Sequence, residues 1–349
     1  MSNRVTAALI VRNEEQRLPT CLKSLAGKVD AVVVVDTGST DRSVDIARSF
    51  GARVLRFPWS GDFAAARNFG LEAIDTEWVL YIDADEVLRL PTGKRLAEQL
   101  PADHPACFVS FRPRDGFTRY RELRCFRSTP DVRFQGRIHE SIIPSLMSSF
   151  RCNLASLPRG DIDIDHSGYE TPSIAKAMRN LPELERAIAD GASRLYLWHD
   201  LAAALNTIGK NAEAINVARD GLARLRSDAS EQNIGAASLL TQFLAIQYLE
   251  TDPTAAAALA KEGLARMPDD HTLRLVLGRA AHASGEGQIA IDAATSLLAI
   301  DPDQLRYELF AHDRRVFGEF AHEVMALGLL QTGDLKGAYR HLQFDPPAQ

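Results

Sequence analysis

Between residues 5 and 111, five short runs of apolar and β-branched residues alternate with helix-like segments, and this alternation does most to narrow the fold. The runs are 5–11, 31–35, 53–57, 78–82 and 107–111. Strands separated by helical crossovers build a mostly parallel sheet covered on both faces. The first crossover helix is predicted to open near Pro19, which a first turn tolerates, and to stop at Gly27, with Leu18, Leu22 and Leu25 as its buried stripe. The second begins at Ser39-Thr40-Asp41, good N-cap chemistry, and ends before Gly51, with Ile46 and Phe50 expected on one face. Such crossovers are right-handed, and ligands of such sheets lie beyond the carboxyl ends of the strands.

Residues 112–170 are less regular, with candidate strands at 122–126 and 161–165 that are expected to complete the sheet and close the cleft. From about Pro172 the pattern becomes alanine-rich and helical, which divides the chain into 1–171 and 172–349. With 349 residues, 46% of them hydrophobic, there is enough apolar material for two cores. In the second half, related units begin at Leu201, Phe243, Leu277 and Val324; each runs from a small-residue helix through a turn into a second helix. They resemble tetratricopeptide repeats, stacked helical hairpins that share a core. An ordinary helical bundle is the alternative.

Charge and cysteine content exclude several classes. Lys and Arg number 40 against 46 Asp and Glu, a net charge of −6, so no global basic field advertises nucleic acid. No stretch approaches the roughly 20 apolar residues of a spanning helix, so the expected location is cytoplasmic, with peripheral attachment at the inner membrane face left open. Cys21, Cys107, Cys125 and Cys152 show no CxxC spacing and read as buried apolar residues.

The fourth run ends in Asp83-Ala84-Asp85-Glu86, placing carboxylates at the end of a buried strand. Their mutual repulsion is costly unless they share a cation, and hard oxygens in this number suit Mg²⁺ or Mn²⁺, which would also carry substrate phosphates. Other polar clusters follow the ends of other strands: Arg12-Asn13-Glu14-Glu15, the run from Asp36 through Gly38 to Asp41, and Asp62 with Arg67-Asn68. Each has a plain explanation as a turn, a cap or a solvated side chain. Their convergence on one rim does not.

The segments ALIVRNEE, VVVVDTGSTDRSVDIA, FAAARNFGLE and WVLYIDADE, in this order, resemble the family 2 glycosyltransferases, which have a GT-A fold and use nucleotide-diphospho sugars. The resemblance covers about residues 4–90 and continues through LRCFRSTPDVRFQGRIHESI and DIDIDHSGY, which look like the subgroup with C-terminal tetratricopeptide-like repeats. It implies that Asp36 lies near the nucleotide base, that the Arg12–Asn13–Glu14–Glu15 loop lines base and ribose, and that Gly38 belongs to the same nucleotide subsite. It further implies that Asp83, Ala84 and Asp85 serve the metal and ribose-diphosphate region. Arg67 matches a position that faces the donor sugar or diphosphate, where a guanidinium would stabilise the leaving group.

The family has a carboxylate after the donor cleft, and Gly136-Arg137-Ile138-His139-Glu140 looks like that place. Glu140 is therefore the candidate base and His139 its rival. His166 sits where several GT-A families return a histidine to the metal, so Asp83, Asp85 and His166 form the implied metal set, and imidazole favours Mn²⁺. No QxxRW-like segment and no membrane span is present, so a single, non-processive transfer is expected, while the resemblance implies an inverting displacement with a UDP-sugar favoured as donor. Peptide S-glycosyltransferases of bacteriocin pathways and many polysaccharide enzymes resemble this arrangement alike. The acceptor is thus a saccharide, a lipid-linked saccharide or a peptide, which the repeats are expected to recruit, and a homodimer stays open. Two other classes compete. A sugar nucleotidyltransferase would need a basic, Gly-rich first loop where this chain has Asn13-Glu14-Glu15, and an interaction scaffold would leave the first domain idle.

Overall fold

The protein is described by a computed structural model covering residues 3–166, 173–191, 194–227 and 231–343. Ser167-Gly168-Tyr169 lies outside the described residues. Among the described residues no helix is long and apolar enough to cross a membrane. They fall into two compact units: residues 3–115, 119–166 and 306–311 make the first, and the remaining described residues the second.

The first unit is a three-layer α/β arrangement around an eight-stranded sheet. In chain order the strands are β1 (Val5–Val11), β2 (Ala31–Asp36), β3 (Arg53–Arg56), β4 (Trp78–Tyr81), β5 (Glu86–Arg89), β6 (Ala106–Arg112), β7 (Tyr120–Arg127) and β8 (Arg159–His166). Their spatial order is β3-β2-β1-β4-β7-β6-β8-β5. β3, β2, β1 and β4 are parallel neighbours, as the alternating pattern requires, whereas β7 runs antiparallel to both β4 and β6. The GT-A-like α/β sheet followed by a helical region is therefore the observed fold class.

β1 is buried along nearly its whole length, which is why it reads as an unbroken apolar run rather than an alternation. The crossover helices are α1 (Leu18–Leu25), α2 (Ser43–Ser49) and α3 (Phe63–Leu71), and α4 (Ile143–Phe150) follows later. α1 has its proline in the first turn and buries Leu18, Cys21, Leu22 and Leu25. α2 departs from expectation. It starts at Ser43, buries Ser43 and Ala47, and leaves Phe50 45% exposed, because Phe50 is already its C-cap and off the helical stripe. Cys21, Cys107 and Cys125 are buried as expected, but Cys152 is only half-buried.

The second unit contains α5 (Ile174–Ala189), α6 (Leu195–Thr207), α7 (Asn211–Ala223), α8 (Glu231–Tyr248), α9 (Pro253–Arg266), α10 (His271–Ala283), α11 (Gly287–Leu298), α12 (Glu319–Thr332) and α13 (Leu335–Leu342). Each sequence unit is one hairpin: α6/α7, α8/α9, α10/α11 and α12/α13. Helices approach closely where a side chain is missing. A Cβ on Gly328 would lie 2.8 Å from the Gly287 carbonyl oxygen, and one on Gly221 would lie 2.8 Å from Trp198 Cβ. Composition marks neither of two exchanges: residues 306–311, between α11 and α12, belong to the first unit, and residues 116–118 to the second.

Candidate active site

The loops after β1 and β2 are built against each other by polar bonds. Asn13 adopts a left-handed backbone conformation (φ 57°), its N–H donates to Ser39 Oγ (3.0 Å), and its Oδ1 accepts from the Thr40 N–H (2.8 Å). The Glu14 N–H donates to Ser43 Oγ (2.8 Å) and the Glu15 N–H to Asp41 Oδ2 (3.0 Å). Glu15 Oε2 accepts from the Arg42 N–H (3.2 Å), and Asp36 Oδ1 accepts from the Ser39 N–H (3.0 Å). Gly38, with φ 106°, supplies the turn that a side chain would strain. The expected residues at 12–15 and 36–38 thus form one paired rim, in which Asn13, Glu15 and Asp36 spend side-chain oxygens on shaping the loops.

Beside this rim, Arg67 of α3 is the hub. Its Nε donates to Glu140 Oε1 (2.5 Å) and its NH2 to Asp83 Oδ1 (2.9 Å), while the guanidinium lies 5.1 Å from the Tyr81 ring centre and 5.4 Å from that of Phe134. Asp62 caps α3 by accepting from the Ala65 N–H, which fixes the helix that presents Arg67. Asn68, one residue on, exchanges two hydrogen bonds with the Phe134 backbone (2.8 and 2.9 Å) and so ties α3 to the segment leading to Glu140. Burial alone would lower the Arg67 pKa, but Asp83 and Glu140 outweigh it and hold the cation. Loss of solvent would raise Asp83, yet Arg67 and then Arg124 keep it below the usual carboxylate range.

His139 and Glu140 lie in a loop closed by the Gln135–Ser141 bridge, with Gly136 (φ 97°) and His139 (φ 50°) in left-handed conformations. Of these two, Glu140 is the one that reaches Arg67. Asp85 turns the other way: its Oδ2 lies 3.1 Å from His166 Nε2 at the end of β8. The implied metal set is therefore divided, with Asp83 on the arginines and Asp85 on His166. Among the described residues no group of three or more His, Cys, Asp or Glu is arranged to hold a metal. Ala84 is buried in the core, away from the polar groups of the rim.

Two features escaped the sequence. Glu86, grouped there with the rim carboxylates, begins β5 and turns inward, 1% exposed, because β5 is itself a strand paired with β8. Its partner is Arg124 of β7, whose NH2 donates to Glu86 Oε1 (2.8 Å) and NH1 to Oε2 (3.2 Å). The signal for Arg124 was an arginine inside an apolar strand sequence, LRCFR.

A family model described as "Glycosyl transferase family 2" matches residues 6–156. This stretch is a family 2 glycosyltransferase domain. A TPR repeat-containing protein of Synechococcus elongatus is 34% identical over 237 residues, covering 64% of this chain and 58% of that relative. The SPbeta prophage-derived glycosyltransferase SunS of Bacillus subtilis is 29% identical over 228 residues, covering 61% and 51% respectively. The chain thus spans little more than half the length of these curated relatives. Among solved structures, glucosyl-3-phosphoglycerate synthase from Mycobacterium tuberculosis, in complex with Mn²⁺ and UDP-glucose, matches with a TM-score of 0.39 at 16% identity, over 53% of this chain and 78% of that one. Arg67 with its partners Asp83 and Glu140, and Asp85 beside them in sequence, all fall inside the matched stretch.

Proposed function

We propose that the protein is a non-processive, inverting glycosyltransferase that moves one sugar from a nucleotide-diphospho sugar, with UDP as the favoured nucleotide, to an acceptor hydroxyl or thiol. The observation that carries this reading is the Arg67 hub, which holds Asp83 and Glu140 within hydrogen-bond distance of one guanidinium inside a family 2 glycosyltransferase domain. The paired loops at 12–15 and 36–43 take base and ribose. Arg67 has five N–H donors and uses two in these bonds, so the fork can also meet diphosphate oxygens and take up the charge of the leaving group.

In the reaction the acceptor oxygen or sulfur bonds to the anomeric carbon from the face opposite the diphosphate. The bond from that carbon to the diphosphate oxygen breaks, and the acceptor proton passes to Glu140. Diphosphate arriving at Arg67 competes with Glu140 for the guanidinium, which frees a carboxylate oxygen to receive the proton.

This reading includes a divalent cation at the Asp85–His166 pair. Asp83, Glu86, Glu122 and Glu140 pair with two arginines, Arg67 and Arg124, leaving a surplus of negative charge, and Asp85 with His166 supplies an oxygen and an imidazole nitrogen side by side. Asp85 and His166 would hold the ion, which would supply charge neutralisation for the diphosphate.

The test is a titration of the full chain with UDP, GDP and their glucose and mannose derivatives in the presence of Mn²⁺, read by thermal unfolding and by donor hydrolysis. Stabilisation by one nucleotide, with slow hydrolysis of its sugar derivative, is the expected result. Asp85→Ala should abolish the Mn²⁺-dependent part of the binding. Glu140→Gln should leave nucleotide affinity within about twofold and lower transfer by roughly 10²-fold or more. No response to any nucleotide would overturn the reading.

A further inference from the structure

The turn from Asp83 to Glu86 is closed twice. The Glu86 N–H donates to the Asp83 carbonyl (3.0 Å), and the Asp83 N–H donates to Glu86 Oε2 (2.8 Å). Glu86 is in turn gripped by both arms of the Arg124 fork. Arg124 also lies 3.9 Å from Asp83 Oδ2 and 3.2 Å from Glu122 Oε2, and its guanidinium is stacked 4.6 Å from the Tyr81 ring centre and 5.0 Å from that of Phe111. Both side chains are almost solvent-free, at 6% and 2% exposure. Burial drives the Glu86 carboxyl upward and Arg124 opposes it. Both Glu86 oxygens accept N–H bonds, which fixes the orientation of the group.

A buried ion pair of this kind adds little net stability over apolar side chains of similar volume, since desolvation consumes the Coulombic gain. What it adds is direction: a bidentate fork fixes a carboxylate in angle as well as distance. Here the fixed carboxylate is the one that caps the backbone of Asp83, the residue Arg67 holds from the other side. In the β5–β8 register Glu86 is also the partner of His166, so the same residue sits between both halves of the divided acidic site.

We propose that Glu86 and Arg124 are a positioning pair, which holds the Asp83-to-Asp85 turn in the geometry that receives a nucleotide diphosphate and its divalent cation. Neither touches the donor. The proposal rests on the glycosyltransferase reading above, and it makes the shape of the turn, rather than the presence of its carboxylates alone, decisive for donor affinity. Displacing such a turn by about 1 Å is enough to cost productive binding.

The experiment compares the full-length wild type with Glu86→Gln/Arg124→Met and with Arg124→Lys. The double variant removes both buried charges, preserves side-chain volume and keeps an acceptor for the Asp83 N–H. It is expected to fold, with a melting temperature close to wild type. Its affinity for the nucleotide that binds wild type, measured with Mn²⁺, should fall by tenfold or more, in the 10–100-fold range typical of groups that orient ligands. The KM for the sugar nucleotide should rise with it. Arg124→Lys, which keeps the charge and loses the fork, should fall between the two and also serves if the double variant does not fold. Unchanged affinity in a folded double variant, or wild-type affinity in Arg124→Lys, would overturn the proposal and leave the pair a packing element. A wild-type protein that binds neither UDP nor GDP fails in a different place: it overturns the donor reading itself, and the positioning role with it.

Discussion

The two units differ in what their tightest contacts are made of. Under the candidate site of the first, a chain of alternating charge runs from Glu140 through Arg67, Asp83 and Arg124 to Glu86, with Tyr81, Phe111 and Phe134 stacked on its cations. In the second, the hairpins close on alanine and glycine: Ala280, Ala290 and Ala294 are fully buried, and Gly287 and Gly328 bring α11 and α12 into backbone contact. The first interior is arranged to hold charges in fixed directions, the second to let helices approach. Interiors of the first kind are costly in desolvation, and sites that must preorganise charge accept that cost.

The comparison can be broken first at Arg67. Arg67→Ala strands two carboxylates, Asp83 and Glu140, without their shared cation, and should destabilise the first unit by about 3–5 kcal/mol, as loss of one partner of a buried pair does. Urea unfolding followed separately for the sheet and helical units checks this. A loss below about 1 kcal/mol would mean that the ionic chain is well solvated and that the contrast is false.

A next, smaller effect is expected at Gly328. In Gly328→Val the added Cβ would meet the Gly287 carbonyl oxygen at 2.8 Å and Ile291 Cγ1 at 2.9 Å. A backbone oxygen cannot rotate away, so the helical unit should lose about 1–3 kcal/mol through overpacking. Nucleotide affinity should be unmoved, and a joint loss of both would show that the two interiors are not separable.

The smallest effect sharpens the contrast through pH. His312, packed at a tilt against His271 and edge-on to Phe317, has its pKa pushed down to about 3 by burial and then by His271. A histidine depressed in the fold binds its proton more readily when unfolded. Its contribution is therefore complete above about pH 6.5 and is lost as pH falls toward about 3. Between pH 7 and 5.5 the helical unit should lose about 1 kcal/mol. Thermal unfolding of His312→Gln, with a flatter profile over that interval, checks the assignment; an equally steep profile would move the effect to His271, also depressed, or elsewhere.

Much of this was legible in the sequence. Apolar runs at 5–11 and 31–35, separated by a helix with proline at its start, dictate adjacent parallel strands, because a right-handed crossover leaves few other arrangements. Hairpins in the second half follow from small-residue helices joined by short turns. The polar clusters at 12–15, 36–38, 67 and 83–85 were legible because strand ends are where such sheets present polar groups, whereas Glu140 came only through the family resemblance. Phe50 was misplaced because the helix stops sooner than its hydrophobic spacing suggests.

Local pattern determined which residues reach the rim, since strand and helix periods act within one element. Only the tertiary structure decided which of them meet. Arg67 chose Asp83 and Glu140, Asp85 went to His166, and Glu86 left the rim for Arg124, because β7 returns antiparallel beside β4 and brings an interior arginine 38 residues away in sequence under the acidic turn. A buried charge takes the partner that the fold places within a few ångströms, and sequence spacing carries no record of that distance.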